Sequence, residues 1–330
     1  MNLSLVGLPK VPITGPIRHD GSMADSPHLP SELEPDQHEH GLATGDITEL
    51  AAAITRAWLV FEEGVRTDVD LSAESRKQGW SGRDLVARLG EWEFGRTIQD
   101  MLADAHDGDA DFYDADDLDE HVRARTADLP DEEVLESISR ARRTTEDWLV
   151  SDGPETWGLV HTSSPLGPLP VLTVMNAMTY QLAVAALDLE QCGLTPDDEL
   201  MRIGLAALID TTGALAARKH VTGSFTAVTP GLIVGSGAHG GHWRTAVLEE
   251  DPQRGPGVVA PARTILDVTS GRANVPHLYR SGALHVRDLT GLIRLAPVLE
   301  GVPGIPPLGA VGRALSVVDA VGGLFGRLRR

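Results

Sequence analysis

A single cysteine, Cys192, stands among 330 residues. That excludes an internal disulfide framework and any multi-cysteine metal site, and it fits a reducing compartment. Basic residues are outnumbered, with 28 Lys and Arg against 48 Asp and Glu and a net charge of −20. Such a surface repels phosphate backbones, so nucleic acid is not an expected partner. No apolar run is expected to approach the roughly 20 residues of a membrane span. Residues 1–21 are interrupted by Pro9, Pro12 and Pro16, which argues against a secretory signal. The cytoplasm is the expected location. Glycine and proline number 35 and 21 and show neither collagen period nor low-complexity density. With 42% hydrophobic residues, what remains is a chain with one or two packed cores.

Residues 1–45 carry Pro27, Pro30 and Pro35 together with His28, His38 and His40, and they read as a flexible leader in which Met23 is an alternative start. From Asp46 the period becomes helical. Ile47, Leu50, Ile54, Trp58, Phe61 and Val65 recur at steps of three and four, the stripe of an amphipathic helix. Ser81 and Asp84 form a capping-box start for a second helix carrying Leu85, Leu89 and Trp92. Between residues 104 and 120, nine of seventeen residues are acidic. Asp107, Asp109 and Asp111 imitate the opening of a calcium loop, but Phe112 occupies the glycine position and Leu118 the glutamate position, so a solvated acidic loop is expected. Pro130 and three acids then open a third helix with Val134, Ile138, Ala141 and Trp148 on its buried face. An apolar helix over 171–192 closes at Gly193, and another runs from Thr195-Pro196 to Lys219 and His220. Together these describe a bundle.

Two stretches carry a resemblance. Trp80-Ser-Gly-Arg-Asp84-Leu-Val-Ala-Arg88-Leu and Tyr180-Gln181-Leu-Ala-Val-Ala185-Ala-Leu-Asp188-Leu resemble the two signatures of the mycothiol-dependent maleylpyruvate isomerase family. The resemblance implies a DinB-like four-helix bundle over residues 46–220. It also implies a divalent metal, usually zinc, held by a histidine on the second helix and a glutamate and histidine four apart on a later one. Here the matching positions are Arg88, Gln181 and Ala185. Arginine stays protonated, a glutamine carbonyl is a weak donor and alanine has none. The family chemistry needs the cation, because a thiol near pKa 8.5 is mostly protonated at neutral pH. The expectation is therefore a degenerate member with no metal and no cofactor; zinc and mycothiol enter only if activity is retained through a changed metal set. Asp84, Trp92 and Asp188 are candidate cleft residues. Asp84 is expected to cap its helix and to pair with Arg88, while Arg88 meets Asp188 or Gln181 in the metal's place. Cys192 reads as a packed thiol, His161 as a loop residue and His220 as a cation at a helix end.

The second half changes period. Short strands are expected at 224–228, 231–234, 243–248, 257–260 and 283–286, with helices at 262–269 and 289–299. Residues 221–330 thus form a second domain. Residues 264–272 and 278–284 resemble the sterol-carrier-like domain that follows many such bundles. The fold class is α+β, a helical bundle followed by a smaller α/β domain. That resemblance implies an apolar tunnel, so a carrier for a small apolar ligand is the alternative function. The partner is a small thiol or apolar ligand; no protein partner is indicated. His239 and His242 flank two glycines and read as a hairpin turn instead of a metal site. Residues 308–330 read as an amphipathic helix with a basic end, for which docking is the preferred reading over lying on a membrane surface, with packing on its own domain as the plainer alternative.

Overall fold

The computed structural model describes residues 29–295 and residue 298. The expected helix over 308–330, and most of the leader with Met23 and His28, lie outside them. The fold is α+β, helices first and a sheet after them. Helix α1 (Ile47–Asp68) begins where the Asp46 carboxylate accepts the Thr48 and Glu49 N–H groups, and it buries Leu50, Ile54, Trp58, Phe61 and Val65. Helix α2 (Gly82–Leu89) opens with the expected reciprocal cap between Ser81 and Asp84.

The acidic stretch is a loop only in its middle, 108–114, where its acids are exposed. Its ends lie in α3 (Ile98–Asp107), closed by left-handed Gly108, and α4 (Ala115–Thr126). Within the stretch Asp114 caps α4 by accepting from Asp116 N–H, while Asp100, just before it, completes a capping box with Thr97 at the start of α3. Next come α5 (Asp131–Leu149) and the short α6 (Gly153–Trp157). A two-stranded ladder of β1 (His161–Thr162) and β2 (Leu169–Pro170) then takes His161 out of the expected loop. Helices α7 (Val171–Asp188) and α8 (Asp198–Arg218) follow, joined through Gly193 at φ 105°. By length and composition both could cross a membrane, with mean hydropathies of 1.2 and 1.4 over Val171–Cys192 and Asp198–Arg218. That corrects the expectation that no such run exists. Their surfaces are largely covered by the protein itself, and they are the central core helices.

The sheet has the order β5-β4-β3-β6-β7, formed by β3 (Gly223–Thr229), β4 (Leu232–His239), β5 (His242–Val247), β6 (Gly257–Val259) and β7 (His285–Arg287). Only the β3–β6 pairing is parallel. β4 and β5 are joined by the expected tight turn, Gly240 and Gly241, both at positive φ. Helix α9 (Ala262–Thr269) matches expectation, α10 (Val275–Ser281) is not foretold by the sequence pattern, and α11 (Leu289–Arg294) occupies the start of the helix expected at 289–299. Helix α8 packs on β4 and β5 as well as on α7, so one apolar cluster runs from Leu50 and Phe61 through Leu205 to Ala227, Val234 and Leu266.

Residues 29–45 are not a loose leader. Leu33 is completely buried and lies against β4. A Cβ at Gly237 would fall 2.1 Å from the Leu33 carbonyl oxygen, so the close approach requires glycine there. At Gly41, φ is +57° and a Cβ would fall 2.0 Å from Asp210 Oδ1. That carboxylate is the junction between the helices, the sheet and the N-terminal segment. Asp210, on α8 and fully buried, accepts from Leu42 N–H at 3.0 Å, Trp243 Nε1 at 3.0 Å, Thr245 Oγ1 at 2.8 Å and Asn176 Nδ2 at 3.3 Å. Burial raises its pKa and the donors oppose the rise.

Candidate functional site

A cavity of about 240 Å³ opens within the helical part. Its walls are largely apolar, with Trp58, Met101, Leu166, Val174, Met175 and Met178 among them. The polar lining comes from α2, the loop after it, the acidic stretch and α7: Arg88, Glu91, Arg96, Tyr113, Asp119 and Gln181. An apolar chamber with a few convergent polar groups is the usual form of a small-molecule site.

Arg88 organises the polar end. Its Nε donates to Asp119 Oδ2 at 2.7 Å and its Nη2 to Gln181 Oε1 at 3.1 Å. Of the two contacts foreseen for Arg88 in the metal's place, the one to Gln181 forms and the one to Asp188 does not. Asp188 is instead held by Arg272, whose Nε and Nη2 each reach a carboxylate oxygen at 2.8 Å. Nor does Arg88 pair with Asp84, which caps α2 and accepts from Arg123 Nε at 3.0 Å. Asp119, 31 residues beyond Arg88 and on α4, is a partner that the sequence does not reveal, because the i+3 and i+4 spacings along α2 cannot point to a residue on another helix. Ala185 is buried in the core but does not line the cavity. The candidate cleft residues Asp84, Trp92 and Asp188 do not line it either: Trp92 is buried, donates to the Ala87 carbonyl at 2.7 Å and stacks on Phe94. Cys192 is a packed thiol whose pKa burial pushes up.

Burial drives this mixed-charge cluster toward neutrality from both sides. Desolvation raises the Asp119 carboxyl against the pull of Arg88 and Lys77. Lys77, 3.9 Å from Asp119 and 3.2 Å above the Trp80 ring centroid, is lowered to about 8 by burial first and the Arg88 charge second. In the unfolded chain it titrates near 10.5. Between these values the unfolded state holds more proton than the folded one, so stability should rise as pH climbs from about 8 toward 10.5. Urea unfolding across that range should show the slope in the parent and a flatter one in Lys77→Met; parallel curves would refute the account. Tyr113 is raised by burial, so its phenol keeps its proton, and Arg96 lies 4.6 Å from that ring.

The donor set does not fit zinc. At the three positions that the resemblance marks stand a guanidinium, an amide already engaged by it, and a methyl group. Among the described residues no group of three or more His, Cys, Asp or Glu is placed to hold a metal.

No protein-family profile matches the chain, and no curated protein does. Among solved structures, the chain is similar to a mycothiol-dependent maleylpyruvate isomerase at 13% identity, covering 81% of this chain and 98% of that one with a TM-score of 0.47. A histidine-to-alanine mutant of such an isomerase matches at 14% identity over the same shares, with a TM-score of 0.46. An inverting sec-alkylsulfatase from Pseudomonas sp. matches at 13% identity over 68% of this chain and 32% of that one, with a TM-score of 0.24. At these values the function of this chain has to be argued from its own residues.

Proposed function

We propose that this protein is a cytoplasmic, degenerate member of the mycothiol-dependent maleylpyruvate isomerase family that binds a small amphipathic compound, a thiol among the candidates, without metal-thiolate chemistry. The observation that carries this reading is Arg88, bound to Gln181 and Asp119 at the polar end of an otherwise apolar chamber. A guanidinium offers a fixed cation and directed N–H donors, so it can orient a polar head while the methionine and tryptophan walls take up an apolar body. It cannot accept a coordinate bond or act as a base, so it cannot hold and activate a thiolate as a metal does.

Two measurements test the reading. With added thiol, the parent should not isomerise a maleyl-type compound, with or without divalent metal; turnover that disappears with a chelator would overturn the proposal. The triple change Arg88→His, Gln181→Glu, Ala185→His should add one bound divalent cation per chain over whatever the parent holds, read by elemental analysis of folded protein. If the triple variant folds and gains none, the assumed correspondence of these helices to a metal site is wrong.

A further inference from the structure

The N-terminal segment and the β4–β5 hairpin both carry histidines, and nothing in the helical cavity uses them. The fold joins them. His40 bridges to Trp243 in parallel pairing, and the His40 and His242 ring centroids lie 5.7 Å apart, with planes inclined at 61°. Nδ1 of His40 and Nδ1 of His242 are both sealed from solvent and have no hydrogen-bond partner among the described residues. A buried polar atom left unpaired costs about 1–3 kcal/mol, and such atoms in native folds commonly mark the place of a water or an ion. Here two occur on adjacent rings of the side chain that most often ligates metals.

The spacing agrees with a shared ion. Imidazoles bound at about 2.0–2.1 Å to one cation hold their ring centroids about 5–6 Å apart. Further imidazoles surround the pair: His239 is the cross-strand partner of His242, and His38 and His161 lie near enough for their charges to act on His40. Among the described residues no third donor joins them in ligating position, so the ion would keep positions for water. An all-imidazole protein ligand set selects late first-row divalent cations over magnesium and calcium, which require oxygen ligands.

We propose that His40 and His242 together bind one late first-row divalent cation, and that this ion pins residues 29–45 to the β4–β5 hairpin. Neither histidine lines the helical cavity, so the proposal stands independently of the function argued above.

Zinc chloride titrated into the full chain, followed by calorimetry, should show one ion bound per chain and a zinc-dependent rise in Tm. His40→Gln and His242→Gln should each weaken binding at least about tenfold and remove the rise, whereas His106→Gln, at a side chain 72% exposed, should change neither. Zinc should also slow proteolytic cleavage within residues 29–45 of the parent. Failure to take up zinc at a hundredfold excess would overturn the site, as would folded His40 and His242 variants that bind like the parent. Histidine ring NMR of the unmutated chain gives a reading independent of any variant's folding. Zinc-induced shifts at His40 and His242 support the site; shifts confined to other histidines overturn it.

Discussion

Asp210→Ala is expected to lower the free energy of unfolding by about 3–5 kcal/mol, because it strands several buried donors at once. Three of them, from Leu42, Trp243 and Thr245, converge on Oδ1, and the fourth, from Asn176, reaches Oδ2. Asp210→Asn should cost only about 1 kcal/mol. Its carbonyl can keep the three donors, and its new NH₂ can donate to Asn176 once that amide turns over, since the two ends of an amide are nearly the same shape. The pH dependence separates the variants further. Burial raises the Asp210 pKa in the folded state, so the stability given by its neutral form is fully present below the unfolded carboxylate value and is lost as pH rises through the raised one. The asparagine variant does not ionise and should lack that slope. Urea unfolding of the three proteins over acidic to neutral pH measures both effects, and an alanine variant within about 1 kcal/mol of the parent would show that water replaces the carboxylate.

Arg272→Ala is expected to cost a comparable amount, about 3–5 kcal/mol. The Asp188 side chain is 2% exposed, and both of its oxygens are taken by the Arg272 guanidinium, so truncating the arginine leaves a buried carboxylate without its counter-charge. The pair ties the end of α7 to the turn after α9. Arg76 braces the same junction, donating to the Leu187 carbonyl, Glu190 and Asp267. Replacing both partners, Asp188→Leu with Arg272→Met, should cost less than Arg272→Ala alone, since a packed apolar pair removes the desolvation penalty with the charge. A double-mutant cycle by chemical denaturation reads the coupling. If the single and double changes cost the same, the contribution of Arg272 is packing by its aliphatic stem.

Local chemistry was readable before the fold was known. Ser81 caps its helix as its spacing to Asp84 foretells, α9 begins and ends where the apolar triplet places it, and the two glycines after His239 make the hairpin turn. Long-range partnership was not. The Asp210 donors lie 33 to 168 residues away, and no periodicity along α8 distinguishes a buried carboxylate from a solvated one. The sequence singles out Arg88 as a substituted ligand and Gln181 as one of its three anticipated partners; Asp119 is hidden because a dense acidic run looks solvated until its helices pack. The order of residues 29–45 is hidden for a related reason. Proline and histidine content describes their composition correctly but cannot show that Gly237 leaves room for Leu33.

Helix α8 gives its residues Leu208 and Thr211 to the chamber wall and, between and beyond them, Asp210 and Gly213 to the sheet side, where a Cβ on Gly213 would fall 2.0 Å from Ser236 Oγ. A single rod thus serves as a party wall. Cutting the chain at residue 221 would bare the flank that β4 and β5 cover, so the two halves should not survive as separately expressed pieces, and recombination at that boundary would have to bring a matching α8 with it.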